Sequence, residues 1–234
     1  MNTPPSNALI PYGATSSAMG KIGMPDVAVH RLVVLESLSP EVTTQKVGQP
    51  GDLYLKGGNV NYGTAPLEFI PLARSKGRVR FRPRIEGGGV LCRSFDGALG
   101  TGDPGGQCAS CEFSVWTPNP VTGKKAIPPG CDETENLYIL IRKDPAMPVL
   151  LVGARTRLKA FRVLNTFLLQ ELIQYGMLYN HVFELTARPI TTQNLVSHVF
   201  EFRRGGETTE AERKQAGFWY QAIKDRPVSY AEGE

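Results

Sequence analysis

The chain has 234 residues, of which 41% are hydrophobic, so it can bury a core in one large or two small domains. No run of about eighteen apolar residues occurs, which excludes a membrane-spanning helix. The net charge of +4 is small but unevenly distributed. The stretch from Arg74 to Arg93 holds seven cations and one acid, Glu86, so the positive charge is concentrated there.

Residues 1–25 are rich in proline, serine, alanine and glycine and carry one charged side chain, Lys21, which is typical of a flexible arm. They lack the basic segment followed by an apolar segment that marks a secretory signal. We therefore expect a cytoplasmic protein, whose thiols stay reduced.

Short apolar runs bounded by turn residues predict strands in the first half of the chain, at residues 27–38, 53–55 and 67–72. His30 lies in the first of these strands, with no other histidine near it in sequence. We expect it to be an ordinary strand residue.

A basic run follows the third predicted strand. It contains four arginines at alternate positions, Arg78, Arg80, Arg82 and Arg84. The two-residue period of a strand places all four on one face, with Val79 and Phe81 on the other. Their spacing of about 6.5 to 7 Å roughly matches the phosphates of an extended nucleic-acid strand. The alternative is an edge strand protected by cations and Pro83, but four arginines without an interleaved carboxylate favour phosphate binding.

All four cysteines lie in the glycine- and proline-rich segment 92–131, here called the cysteine segment, which cannot build a core of its own. They are Cys92, Cys108, Cys111 and Cys131, separated by fifteen, two and nineteen residues. A tight turn between Cys108 and Cys111 aims both sulfurs at one ion, so the pattern predicts a structural zinc with four thiolate ligands. Two disulfides, or unpaired and redox-active cysteines, are the alternatives, and a reducing cytoplasm disfavours the disulfides.

The cysteine segment also carries an aromatic side chain, Trp116, near Lys124 and Lys125. Base stacking and phosphate contact need this combination, so the three residues are candidates for nucleic-acid binding. The alternative is that Trp116 packs in a small cluster that supports the metal site.

After Cys131 the pattern predicts strands at residues 137–142 and 148–154 and an amphipathic helix at 156–175 that ends at Gly176. The start of this helix carries four cations, Arg155, Arg157, Lys159 and Arg162. Cations oppose the macrodipole at a helix N-terminus, so an anion site is one interpretation. A solvated basic face is the other.

Residues 181–188 and 194–203 show the alternation of a β-hairpin. His181 and His198 can approach each other across such a hairpin, but without an acid or cysteine arranged around them we expect no metal or catalytic role. A final helix is predicted from the capping box of Thr209 and Glu212 to Pro227.

This order of elements predicts a mostly β protein with two helices (α+β), built as an OB-fold-like Greek-key barrel with a cysteine-rich zinc insertion. The predicted units are a flexible arm at residues 1–25, a core domain at 26–226 with the insertion at 92–131, and a short tail at 227–234.

Several runs match a known pattern: GDLYLKGG from Gly51, LEFIPL from Leu67, LCRSFDG from Leu91, and GDPGGQCASC from Gly102, with the later Cys131. In these runs the chain resembles the zinc-containing single-stranded DNA-binding proteins of bacteriophages, over roughly residues 50–200. The resemblance implies an OB-like core with an inserted zinc knuckle. It also implies binding of single strands during phage replication or recombination in the bacterial cytoplasm.

The residues themselves indicate binding without catalysis, because no set of nucleophile, base and orienting group and no phosphate loop is visible. Aromatic rings add stacking of about 1 to 3 kcal/mol per base. The candidates are Tyr54, Tyr62, Phe81 and Trp116. We expect single-stranded DNA as the partner, with replication or recombination proteins as further candidates. One alternative is a zinc-ribbon adaptor that contacts RNA polymerase or another protein, and another is a nuclease, which needs carboxylates clustered around a divalent metal.

Overall fold

The computed structural model describes residues 29–118, 126–192 and 195–224. The strands within these ranges are β1 (His30–Val34), β2 (Leu53–Lys56), β3 (Val60–Gly63), β4 (Leu67–Phe81), β5 (Val90–Ser94), β6 (Leu99–Gly102), β7 (Gly106–Gln107), β8 (Thr117–Pro118), β9 (Ala126–Ile127), β10 (Asp132–Ile141), β11 (Asp144–Ala154), β12 (His181–Thr192) and β13 (Leu195–Glu207). The helices are α1 (Pro40–Thr43), α2 (Leu158–Tyr175) and α3 (Glu210–Ile223). Short 3₁₀ turns cover Arg84–Glu86, Cys108–Ser110, Glu112–Ser114 and Arg155–Arg157.

The sheet is organised around β4, which is the longest strand and pairs with three others. β10 runs antiparallel to β4 between Phe69 and Val79. The first residues of β4, from Leu67 to Phe69, also pair with β12, and its last residues, from Arg78 to Phe81, pair with β5. The strands β11, β10, β4, β12 and β13 therefore follow one another across the sheet, each antiparallel to its neighbours.

The N-terminal strands extend the sheet at its other end. β1 pairs in parallel with β11, with His30 opposite Val149, and β2 and β3 continue outward in antiparallel pairing. The two parallel strands are separated by more than 100 residues of chain, so this pairing is strongly non-local.

The main core joins α2 to buried residues of β1, β2, β4, β10, β11, β12 and β13, and it contains several aromatic rings. Phe69 stacks against Phe183 with the ring centroids 5.9 Å apart, and Phe161 of α2 meets Phe202 edge-on at 5.4 Å. Alternate positions of β13 are buried, namely His198, Phe200 and Phe202, as the two-residue period of the sequence predicted, whereas β12 begins with three consecutive buried residues, His181–Phe183. This face of the hairpin is therefore fixed against the helix.

Two glycines allow α2 to pack on β11 and to end where it does. A Cβ at Gly153 would overlap the Phe161 ring, so the absence of a side chain lets the helix pack on β11. Gly176 has a φ of +69° and closes the helix in the left-handed conformation, which confirms the predicted cap. The predicted helix is also confirmed, although its first turn is 3₁₀ rather than α.

α3 covers a second, smaller core cluster through Ala216 and Ile223, which pack near Ile70 and Leu72. The predicted capping box is confirmed, because the Thr209 hydroxyl accepts a hydrogen bond from the backbone N–H of Glu212 and the Glu212 side chain accepts one from the N–H of Thr209. The helix ends at Ile223, and the predicted end at residue 227 lies outside the described residues.

The described chain is mostly β-sheet with a few helices, so the predicted α+β class is confirmed, and the arrangement is consistent with a barrel-like fold. The predicted arm at 1–25 and the tail at 227–234 lie outside the described residues. The cysteine segment is inserted between β4 and β10, two strands that are neighbours in the sheet. Among the described helices, none combines the length and apolar character that a membrane span requires.

Candidate metal centre and basic ribbon

The four cysteines come from separate short elements and line one small cavity of about 10 Å³. Cys92 lies on β5, Cys108 opens a 3₁₀ turn, Cys111 follows that turn, and Cys131 directly precedes β10. The cavity is also lined by Arg78, Ser94, Gly100, Gly105, Gly106 and Ser114. A volume of this size is close to that of one water-sized sphere, which suits a single ion and excludes an organic cofactor.

Hydrogen bonds hold the cysteine-bearing turns in place. The backbone N–H of Cys131 donates to the Phe113 carbonyl at 2.9 Å, and the N–H of Cys108 donates to the Ala98 carbonyl at 2.8 Å. The buried hydroxyl of Ser114 lies against the carbonyls of both Cys108 and Cys111. The two cysteines of the Cys-x-x-Cys pair are therefore tied to each other through one serine.

The absence of a side chain at Gly100 leaves space for the sulfur of Cys92. A Cβ at this buried glycine would lie 2.9 Å from the Cys92 Sγ atom, which is closer than a carbon and a sulfur can approach. The wall of the cavity is thus shaped around the thiol, and no feature of the sequence pattern had indicated a role for this glycine.

The electrostatics also reflect the proximity of the four sulfurs. Burial raises the pKa of the Cys131 thiol, the neighbouring sulfurs of Cys111 and Cys92 raise it further, and the Arg78 guanidinium opposes them. A cation in the cavity would relieve the same repulsion between thiolates.

All four cysteines are free thiols, so the alternative of two disulfides does not describe this structure. Among the described residues, no group of three or more histidine, cysteine, aspartate or glutamate side chains is already arranged to hold a metal ion. The shared cavity nonetheless brings together the donor set that zinc prefers. The zinc ligand set therefore stays a prediction.

We call residues 77–94 the basic ribbon; they comprise the end of β4, the turn that follows it, and β5, which pairs with β4 from Arg78 to Phe81. Two of its predicted phosphate-binding arginines contact the cysteine segment instead of standing free. Arg78 donates to the Ser114 carbonyl at 3.1 Å and lies 3.8 Å from a Glu133 carboxylate oxygen. Arg80 lies over the Phe113 ring, 3.6 Å from its centroid. Both side chains therefore fasten the cysteine segment to β4.

The predicted alternation of four arginines on one strand face is wrong beyond Arg80. β4 ends at Phe81, the N–H of Arg82 donates to the Gly89 carbonyl at 2.9 Å, and Arg84 begins a 3₁₀ turn. Pro83 has no N–H for a strand ladder, which explains the break. Arg82 is exposed, whereas Arg78 and Arg80 are partly buried. Among these three described side chains, Arg82 is therefore the most accessible to a ligand.

The four predicted stacking residues differ in accessibility. Tyr54 is 3% exposed and packs beside Val33 and Leu35, so its ring is not available to a base. The prediction that Tyr54 stacks on a base is therefore wrong. Tyr62 is half-buried, and the Lys143 ammonium lies over its ring at 4.4 Å. Burial, with a further contribution from the charge of Asp144, raises the pKa of the Tyr62 hydroxyl.

Phe81 and Trp116 are accessible, with exposed fractions of 42% and 65%, so both can offer an aromatic face. The Arg155 guanidinium lies over the Phe81 ring, 5.4 Å from its centroid, in a cation–π contact. Lys124 and Lys125, predicted to act with Trp116, lie outside the described residues.

The four cations near the start of α2 do not form one free anion site. Arg155 pairs with Asp132 at 2.6 Å and Arg157 with Glu36 at 2.8 Å, so carboxylates from distant elements already compensate two of them. Lys159 and Arg162 are exposed on the first turns of α2. The hypothesis of an anion site therefore rests on these two residues alone.

The sequence did not reveal the surroundings of the two histidines. His181 Nδ1 lies 2.8 Å from the fully buried carboxylate of Glu171, which Arg204 also contacts at 2.6 Å. His198 Nδ1 lies 3.1 Å from a Glu36 carboxylate oxygen.

Each histidine therefore has an acidic partner, although none was visible near it in sequence. The two do not approach each other, because His181 is paired with Glu207 and His198 with Pro189, far apart along the hairpin. These contacts join the hairpin to α2 and to the chain after β1, so they are structural links and not one shared site.

Residues 7–226 match the family described as Pam3 phage gp34-like protein. The chain belongs to this family. The match covers most of the 234 residues and places the chain among bacteriophage proteins. No curated protein and no solved structure matches it. Membership of the gp34-like family supports a phage origin and leaves the activity to be inferred from the site.

Proposed function

We propose that this protein binds single-stranded DNA without catalysis and largely without sequence preference, in phage replication or recombination within the host cytoplasm. The observation that carries the proposal is the basic ribbon, whose residues Arg78, Cys92 and Ser94 line the cysteine cavity. Its exposed Arg82 and Phe81 supply a guanidinium and an aromatic face. Phosphate attraction and base stacking require this pair of groups.

The topology supports the proposal. β4, β10 and β11 form a meander, α2 follows, and β12 and β13 return so that β12 pairs with the start of β4. This is the chain order of an OB-fold, a fold whose strands and loops bind oligonucleotides. Among the described strand pairs, β11 meets β1 instead of β13, so the closure differs from a simple five-stranded barrel. We infer an OB-like core extended by the N-terminal strands.

A structural zinc fits the cysteine segment. Cys92, Cys108, Cys111 and Cys131 would hold it, because their free thiols line one cavity of single-ion size. When bound, zinc would supply a coordinate cross-link between β5, the 3₁₀ turns and the start of β10. Arg78 would stay beside the site and offset the negative charge of the thiolates.

In this proposal the arginines of the basic ribbon have two different roles, anchoring the cysteine segment and contacting phosphate. Arg78 and Arg80 anchor the cysteine segment, which presents Trp116 to the ligand. Arg82, beyond the end of β4, contacts phosphate. We expect the sequence-independent part of the affinity to depend on salt through Arg82 and, to a smaller degree, through Lys159 and Arg162 of α2.

A binding titration at several salt concentrations tests the proposal, with poly-dT, poly-U and duplex DNA as ligands. We expect poly-dT to bind well above duplex, with an affinity that falls linearly against log salt. Substrate that stays intact with Mg²⁺ present would separate binding from nuclease activity. If none of the three polymers binds, the proposal is wrong. The exposed pair of Val115 and Trp116 would then favour the adaptor alternative, in which the cysteine segment contacts a protein.

A further inference from the structure

We infer that Ile85 is an apolar wedge that enters between neighbouring bases of the bound strand. This inference rests on the proposed function and adds a contact that the pattern of arginines and aromatic residues does not include. Ile85 is 95% exposed, the highest value among the large apolar side chains of the described chain. Nearly all of its apolar surface is therefore available, so a ligand that buries this side chain gains affinity.

The backbone holds Ile85 at the end of the basic ribbon. It is the middle residue of the 3₁₀ turn Arg84–Glu86, and the N–H groups of Glu86 and Gly88 both donate to the Pro83 carbonyl, at 2.9 and 3.2 Å. These hydrogen bonds fix the backbone that carries the exposed side chain. A wedge needs such support, because a freely moving side chain would lose entropy on insertion.

Three consecutive glycines complete the turn, and their backbone conformation explains why glycine occupies these positions. Gly87, Gly88 and Gly89 have φ values of +96°, +68° and +95°, which side-chain-bearing residues rarely adopt. A Cβ at any of the three would meet no atom within 4 Å, so packing does not require glycine here. The glycines therefore serve the shape of the turn that carries Ile85.

The charge around the turn favours a nucleic acid as the ligand. Arg82 and Arg84 lie three and one positions before Ile85, and Glu86 is the one acid between Arg74 and Arg93. Nucleic-acid-binding proteins combine apolar wedges with flanking cations, which hold the backbone while the wedge separates two bases. A single strand suits this contact better than a duplex, because separating its neighbouring bases costs less free energy.

The test uses the full chain and two oligonucleotides. An oligonucleotide of adenines with a central 2-aminopurine reports unstacking by its fluorescence, and an oligonucleotide of thymines reports affinity. 2-Aminopurine brightens when it leaves the base stack, and an aliphatic neighbour does not quench it, whereas an aromatic one does. We expect the native protein to increase the fluorescence on binding and Ile85→Ala to lose most of this increase. The affinity of Ile85→Ala should fall about tenfold, equivalent to about 1.4 kcal/mol of lost apolar burial.

Leu38→Ala is the matched control, because Leu38 is 79% exposed but lies before α1, away from the basic ribbon. This variant should keep both the signal and the affinity. If Ile85→Ala also keeps the fluorescence increase and the affinity, the wedge inference is wrong and the proposed function stands. The exposed Ile85 side chain would then favour a contact with a protein. Quenching by the native protein would also overturn the inference, because it indicates aromatic stacking. If neither oligonucleotide binds the native protein, the proposed function itself fails.

Discussion

Replacing Arg82 with alanine should reduce the salt dependence of single-strand binding by about 0.7 in the slope of log affinity against log salt, the value of one phosphate contact. At 0.15 M monovalent salt this change weakens binding about fourfold, and at 0.05 M about eightfold. Arg80→Ala should leave the slope nearly unchanged, because the Arg80 guanidinium is held over the Phe113 ring. The double variant should therefore lose about 0.7 and not about 1.4.

The assay is a fluorescence anisotropy titration of labelled poly-dT at four salt concentrations, with each variant checked for its fold by circular dichroism. Arg203→Ala provides a matched control, because Arg203 is an exposed arginine on β13, whose ion pair with Glu201 spans 3.8 Å. A loss of about 1.4 in the double variant would refute the reasoning, since it would mean that Arg80 leaves Phe113 and also contacts phosphate.

Three further outcomes are expected. Gly100→Ala should weaken zinc retention about tenfold in a chelator competition, because the added Cβ displaces the Cys92 sulfur, and equal retention would argue against zinc in this cavity. Gly153→Ala should lower the free energy of unfolding by about 1 to 3 kcal/mol in urea denaturation, because its Cβ overlaps the Phe161 ring, and an unchanged midpoint would contradict the described packing. Backbone N–H groups hold the pKa of Asp96 below its ordinary value, so its carboxylate stabilises the fold above pH about 4 and loses this effect as the pH falls through the folded pKa. Asp96→Ala should therefore be less stable than the native protein by about 0.5 kcal/mol at pH 7, a small value because the group is largely exposed, and a gap that persists at pH 2 would have another cause.

Features set by neighbouring residues were predictable from sequence. The capping box at Thr209, the left-handed end of α2 at Gly176 and the β12–β13 hairpin all depend on contacts within a few residues or across one turn. The Cys-x-x-Cys pair is local in the same sense, and the structure brings Cys108 and Cys111 to one cavity with the other two cysteines.

Features set by distant contacts were not predictable. The carboxylate of Glu36 meets His198 across 162 positions, and Arg78 meets Ser114 across 36, so no window of sequence contains both partners. The predicted arginine face was incomplete for a local reason, because Pro83 ends the strand and the turn redirects the chain. Tyr54 was misjudged because burial depends on the whole sheet.

The insertion point of the cysteine segment has a consequence for how such proteins diversify. Val79 near the end of β4 lies directly opposite Asp132 at the start of β10, so the two ends of the intervening chain are already one strand spacing apart. A chain that leaves and returns at neighbouring points constrains the core little, whatever its length, since the cost of closing a loop grows only with the logarithm of its size. Residues 80–131, which include the cysteine segment, can therefore vary in length while β4 and β10 keep their register.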